Sequence, residues 1–314
     1  MIVVVRRLGQ LTVVLFLVTV FTALLFSLLP GDLAEVNIPF GSDEQRQQLR
    51  EDLGLEDPIY VQYGKWLGNF VEGDFGSFYR QGNVTPVLDR VKATAPVSLE
   101  LMLYAQLLAL VFAIPLGVFT AKRAGSFADK SINTTAYGLL ALPNFVLALI
   151  LAYVVGVKLR WLPPQGYVKP STSLVDHFKS MALPSISLAI GQIAIYMRLL
   201  RTDLVATLQQ DFILMAKSKG ITERRVLWRH ALRPSSLTLL TIAGLNVGTL
   251  IGGAIIIERI FTLDGMGRLI FEAINERQIV AVQSLVALVA AGYVIVNFLV
   301  DVLYAVLDPR IRRG

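Results

Sequence analysis

Cysteine is absent from the 314-residue chain, which excludes a disulfide framework, thiolate zinc sites, iron–sulfur clusters and a cysteine nucleophile. Histidine is scarce: His177 and His230 are too few for a multi-histidine metal site. Charge is low too, with 17% Asp, Glu, Lys and Arg against 54% hydrophobic residues and a mean hydropathy of +0.61. Soluble domains carry about 25% charge, so an ordinary soluble enzyme is excluded. The 24 glycines and 13 prolines are close to the usual share, so the chain is not low-complexity either. No phosphate-binding loop is present; the nearest string, Gly125–Ser131, lacks the second glycine and does not follow a strand. His-Glu-x-x-His and Gly-x-Ser-x-Gly are missing and no carboxylate pair lies in an apolar run, which disfavours an intramembrane hydrolase.

What is present is apolar sequence in blocks. Six uncharged runs of at least 18 residues stand between charged positions: Leu8–Gly31, Leu101–Ala121, Ser131–Val157, Ser180–Met197, Pro234–Ile257 and Gln278–Val300. A helix crosses the hydrocarbon layer in about 20 residues, and the runs lack the short alternation of a β-barrel. The expected fold is an all-α integral membrane protein with six transmembrane helices. The first run is longer than a signal h-region and no small-x-small site follows it, so it reads as a retained anchor. Residues 1–31 then hold the N-terminus and first span, 32–96 an external helical segment, 97–305 a five-helix core, and 306–314 a tail. Within the core the spans fall at about 98–121, 131–157, 180–200, 234–257 and 278–304, with a loop at 201–233.

Six spans put both termini on one side. That side holds sixteen of the 29 basic residues in the smaller share of loop, while segment 32–100 opposite carries twelve acidic against six basic residues. The positive-inside bias therefore places both termini in the cytoplasm, although Lys158, Arg160, Lys169 and Lys179 in the opposite loop run against it.

Two hydrophilic segments remain. In the external one, Ser42 followed by Asp43, Glu44 and Gln45 starts a helix that Gly54 stops, and Pro58 starts an amphipathic helix ending near Gly73. Its aromatic side, with Tyr60, Tyr63 and Trp66, followed by Asp74 and Phe75, either lies at the membrane interface or receives an external partner protein. In the loop, Asp211 caps a short helix closed by Gly220, and Thr222 with Glu223 starts a second helix that Pro234 ends. Arg225, Arg229 and Arg233 fall four apart on one face of that helix, to meet either anionic lipid or a partner.

The segment Asp211–Pro234 resembles the cytoplasmic coupling loop of membrane subunits of ATP-binding cassette importers, in the form found in the peptide and nickel permease family. The ordered set extends over nearly the whole chain: Leu29-Pro30-Gly31-Asp32, Leu53-Gly54-Leu55 with Pro58, Gly73-Asp74-Phe75-Gly76-Ser77, Pro143 with Phe145, and Trp161-Leu162-Pro163. Leu183-Pro184, Glu258, Phe261, Gly265-Met266-Gly267, Asn297, Asp301, Tyr304 and Asp308-Pro309-Arg310 complete it. The chain is similar to the first of the two permeases such importers carry. The resemblance implies a type I importer permease fold in a bacterial-type cytoplasmic membrane. Its implied partners are a second homologous permease, two cytoplasmic ATPase subunits and an external substrate-binding protein, with membrane lipid around them and no nucleic acid. ATP and Mg would sit on the ATPases, leaving this chain without a cofactor or enzymatic activity of its own.

The same resemblance implies an ATPase-coupling loop at Asp211, Ala216, Lys217, Lys219, Gly220, Thr222, Glu223, Arg224, Arg225 and Arg229, with Ala216 and Gly220 at its centre. Leu214 and Met215 stand where Glu and Ala are usual, and Arg233 stands where Pro is. Short peptides are the substrate it implies first, with nickel, glutathione or haem as alternatives.

For the path itself, Asn144, Asn246 and Thr249 are the candidate lining residues among the small and polar positions of the third and fifth runs, most of which serve helix packing. Asp301 is expected to anchor a helix end, and Glu258-Arg259 to form a local pair or an outer gate. The rival reading is an ion-coupled secondary transporter, for which the six runs offer no ionisable residue.

Overall fold

The computed structural model describes residues 2–28, 34–35, 42–52, 54–80 and 83–307. The motifs at Leu29–Asp32 and Asp308–Arg310, the residue Leu53 and the tail lie outside them. The chain divides into two compact units, residues 1–98 with 264–295, and residues 99–263 with 296–314. Four helices are long and apolar enough to cross a membrane, or five if one bent pair counts as a span, and the first helix adds a shorter apolar stretch, Thr12–Leu25. The expectation of six spans is thus met in four or five cases by length and composition.

Unit one contains α1 (Ile2–Ser27), α2 (Asp43–Asp52), α3 (Ile59–Glu72), strands β1 (Ser77–Arg80) and β2 (Asn83–Pro86), the start of α4 (Val87–Lys122), α11 (Met266–Asn275) and most of α12 (Ile279–Leu307). The amphipathic helix α3 begins after Pro58 and closes at Gly73, whose φ of 94° is left-handed. An antiparallel hairpin pairing Ser77 with Pro86 and Arg80 with Asn83 follows. This corrects the purely helical reading of segment 32–96: aromatic and β-branched residues here favour an extended chain. The Gln278 side chain supports β1, accepting from Tyr79 N–H at 3.1 Å and donating to the Tyr79 carbonyl. The core of the unit is Phe78, Val87, Met266, Leu269, Ile270, Ala281, Val282 and Leu285, with Phe75, Val91 and Ala95 packed against it. An aromatic chain of Phe16, Tyr63, Trp66, Phe70 and Phe75, with centroid spacings of 5.0–6.2 Å, joins α1 to α3 and the turn before β1.

Unit two contains the rest of α4, then α5 (Phe127–Ala141), α6 (Asn144–Leu151) with a π-helical extension Ala152–Lys158, and α7 (Leu174–Leu208). The short helix α8 (Asp211–Ser218), the turn α9 (Glu223–Arg225), a π segment Val226–Ala231 and α10 (Leu232–Ile260) follow. The span expected at about 131–157 is a bent pair of helices, not one continuous helix. The chain bends by 100° between α5 and α6, because Pro143 drives Leu142 into the extended conformation, φ −89° and ψ 129°. Pro234 does not end the second loop helix either: the helical path runs from Glu223 to Ile260. A π segment, Val226–Ala231, lies in that path just before the proline.

Small residues at Ala109, Ala113 and Gly117 let α4 close on α7; a Cβ on Gly117 would lie 3.0 Å from the Met197 carbonyl oxygen. Asp129, at the start of α5, is 2% exposed. It accepts two hydrogen bonds of 2.6 Å from the Arg201 guanidinium on α7, and others from Gly125 N–H and the Asn133 amide at 2.8 Å.

Gly76 joins α3's exit to β1 with φ 76°, and a Cβ there would stand 2.5 Å from Val280 Cγ1. Gly76→Ala therefore meets both backbone strain and overlap, and should destabilise unit one by about 2 kcal/mol. Thermal unfolding in detergent checks this: Val280→Ala should recover the steric part of the loss but not the part due to φ.

Candidate functional site

The loop between α7 and α10 is built as a compact knob. Gln210 precedes α8 without a side-chain cap, and Asp211 is the first helical residue, where its charge meets the positive end of the helix instead of capping it. Ile213 and Ala216 are buried, whereas Phe212, Leu214 and Met215 are about half exposed. At the far end Gly220 N–H bonds to the Lys217 carbonyl at 2.9 Å and Ile221 N–H reaches back to the Ala216 carbonyl at 3.3 Å. That paired closure requires a left-handed residue, and Gly220 supplies it at φ 75°. Lys219 is the C-cap and Lys217 an exposed last-turn cation, favourable at the negative helix end.

Thr222, extended at ψ 144°, starts α9, with Val226 N–H bonding to its carbonyl at 2.9 Å; its hydroxyl makes no capping bond. Val226, Leu227 and Ala231 are buried with Ile213, Ala216, Leu200 and Leu204 in one apolar cluster, which fixes the knob to the ends of α7 and α10. Ser235 Oγ adds a bond of 2.9 Å to Thr207 Oγ1 across the same ends. Glu223, Arg224, Arg225 and Arg229 stay exposed, and Thr222, Arg224, Arg225, Trp228 and Arg229 line a shallow groove. Arg225, Arg229 and Arg233, expected on one face, are all exposed, with the π segment Val226–Ala231 lying between the first and the last. Exposed apolar side chains on α8 beside a basic groove form a surface suited to a protein partner.

The polar residues proposed for the path are partly brought together. Asn246 Nδ2 donates to Gln192 Oε1 at 3.1 Å, Gln192 Nε2 donates to Thr249 Oγ1 at 3.2 Å, and Thr249 Oγ1 donates to the Asn246 carbonyl at 2.8 Å. Gln106 donates to the Ala243 carbonyl and accepts from Tyr196, extending the network to α4. Sequence reasoning missed Gln192 and Gln106, although each is the only carboxamide in its apolar run. Asn144 lies apart from this bonded set, on α6.

The external-contact candidates separate. Tyr60 and Asp74 are exposed, Asp74 accepting from Gly76 N–H at 2.9 Å. Trp66 is a correction: only 5% exposed, it donates to Ser284 Oγ at 2.8 Å and is not presented to a partner. Tyr63 bonds to Thr19 at 3.0 Å and Phe75 packs on the unit-one core, so the aromatic face turns inward. On α10 Glu258 is buried and Arg259 exposed, so neighbours in sequence occupy different faces.

A further buried group lies in unit two. His177 Nδ1 donates to the Val168 carbonyl at 2.8 Å, which leaves Nε2 to accept from Tyr104 at 3.1 Å. Tyr167 donates to Glu100 at 2.9 Å; burial first, then that carboxylate, raises its phenol well above the ordinary value. Among the described residues no three acidic or histidine side chains form a metal-binding group.

Comparison with known proteins now bears on the arrangement. In Bacillus subtilis, the oligopeptide transport system permease protein AppB is 38% identical over 98% of both chains. A solved inward-facing structure of the MetNI methionine ABC transporter matches 70% of this chain and 96% of its own, with a TM-score of 0.58 at 13% identity, a likeness of fold alone. Residues 1–100 match the N-terminal model of binding-protein-dependent transport membrane components. With residues 113–313 matching the main model as well, the chain belongs to the family of binding-protein-dependent transport system inner membrane components.

Proposed function

We propose that this chain is one of two permease subunits of an ATP-binding cassette importer for short peptides. The carrying observation is the full-length relationship to an oligopeptide permease, combined with a knob whose buried side chains tie it to both adjoining helices. A segment packed in this way moves as a body with α7 and α10, so a push on α8 reaches the membrane helices. Phe212, Leu214 and Met215 would enter a groove on one ATPase, with Lys217, Lys219, Arg224, Arg225 and Arg229 meeting its acidic rim. ATP and Mg would be bound there, consistent with a sequence that has no phosphate-binding loop. The basic bias supports a cytoplasmic position for this knob and both termini and an external one for residues 32–96. A second homologous permease completes the path, and closure of the ATPases biases it between outward-open and inward-open states.

Reconstitution with the second permease, the ATPases and the binding protein tests this reading: labelled di- or oligopeptide should accumulate only with ATP. Accumulation by this chain alone under an ion gradient would overturn it, and uptake of nickel, glutathione or haem instead would reassign the cargo.

Two further outcomes are expected. A Cβ on Gly220 meets open space, so only its φ opposes substitution. Gly220→Val should leave membrane insertion intact and lower peptide uptake per ATP hydrolysed about tenfold, from strain of about 1–2 kcal/mol at the closure. A photo-crosslinking residue at Tyr60 or Asp74 should capture the binding protein, whereas one at Trp66 should capture none; the reverse pattern would show that unit one docks by its aromatic interior.

A further inference from the structure

One turn of α7 carries two attachments. Leu200 and Leu204, both fully buried, pack in the cluster that holds Ile213 and Ala216 of α8 and Val226 and Leu227 of the π segment. Arg201, between them, reaches across to α5 instead, and its Nε and Nη2 donate to Asp129 Oδ1 and Oδ2 at 2.6 Å each. Arg198, one turn earlier, lays its guanidinium over the Tyr137 ring of α5, 3.8 Å from the centroid. The knob and the start of α5 are thus fastened to the same stretch of α7, residues 198–204.

Asp129 fastens more than α5. Its Oδ2 also accepts from the N–H of Gly125, a left-handed residue (φ 82°) in the turn between α4 and α5. Its Oδ1 accepts from Asn133 one turn on, and its backbone N–H donates to Ser126 Oγ at 3.3 Å. Both carboxylate oxygens are therefore filled. Parting two charges in so dry a place strands both of them, which is far more costly than parting a neutral hydrogen bond. The bonds through Gln106, Tyr196, Gln192, Asn246 and Thr249 that join α4, α7 and α10 are all neutral. When the knob is displaced, the neutral seam yields first and the ion pair last.

We propose that Asp129 and Arg201 are positioning residues of the coupling step. The pair makes the α4–α5 turn and the first turns of α5 travel with the knob as one body, so motion received at α8 reaches the bent α5–α6 pair and its break at Pro143. The proposal rests on the permease reading above and adds to it the route by which the loop acts on the membrane helices.

Two measurements on the complete complex test this clamp. The double variant Asp129→Asn with Arg201→Gln leaves no lone buried charge, so the fold should be retained. Its peptide uptake per ATP hydrolysed should fall about tenfold, a size usual for coupling between sites. Arg201→Lys, which keeps the charge without the two-point grip, should lie between the parent and the double variant. A pair that merely satisfied itself would leave that ratio unchanged, whatever it did to thermal stability. The second measurement is made with the pair intact. The chain has no cysteine, so with cysteine-free partners spin labels can be confined to Phe127→Cys, 87% exposed at the start of α5, and Ser218→Cys, exposed at the end of α8. The distance between the labels should be the same in the nucleotide-free and ATP-bound complexes, and should spread in the double variant. A distance that changes with nucleotide while the pair is intact, a distribution left equally narrow in the double variant, or parental uptake per ATP in that variant overturns the clamp. ATP-driven uptake by the parent is measured alongside: its absence counts against the permease reading and the clamp with it, whereas parental uptake with any of those three results counts only against the clamp.

Discussion

Hydrocarbon supplies no hydrogen bonds, and most of unit two is an answer to that constraint. Where helices continue, backbone groups satisfy one another. Where the chain carries a polar side chain a partner is often provided, Ser185 Oγ and Asp203 Oδ2 being buried exceptions. Asp129 illustrates the requirement: an isolated carboxylate in so dry a place would be very costly. Two bonds from Arg201 and others from Gly125 and Asn133 surround it. The pair also has a mechanical effect, holding the first turn of α5 against α7, the helix that runs into the coupling knob. Gln106, Tyr196, Gln192, Asn246 and Thr249 answer the same constraint with neutral groups, joining α4, α7 and α10. Neutral bonds across membrane helices are individually weak, about 0.6 kcal/mol on average. Such a seam can hold a geometry without locking it, which suits helices that must slide between two states.

The knob uses a different economy of contacts. Its apolar side is internal, so its position is set by packing with Leu200, Leu204 and Leu239, and its exposed side chains are free to meet another protein. Gly220 is the joint at which the chain reverses. A single left-handed residue there lets two short helices share one buried cluster.

Features that depend on local chemistry were legible in the sequence. The apolar blocks mark the long helices, Gly73 and Gly220 end helices where a left-handed residue is needed, and Pro58 starts one. Features set by distant contacts were not. Trp66 turns inward because Ser284, 218 residues away, accepts its N–H, and a periodic aromatic face cannot say which surface it will meet. The hairpin at 77–86 is short and polar at its ends, and gains its support from Gln278. Pro143 and Pro234 show the limit most plainly. One proline stands where a span bends by 100° and the other is carried inside a helical path, as Pro184 is within α7, and the sequence around each does not say which will happen.

Unit one is discontinuous in the chain, made from residues 1–98 and 264–295. Its hairpin and core therefore wait, during synthesis, for a segment separated from them by the whole of residues 99–263. At about 5–20 residues per second this interval lasts roughly 8–33 s. Through it β1 lacks Gln278, Trp66 lacks Ser284, and Phe78 and Val87 lack the α11 and α12 residues that cover them. Neither unit is thus finished until the last stretch of chain emerges, and a nascent chain stopped short of residue 264 would display an open strand edge and bare aromatic rings.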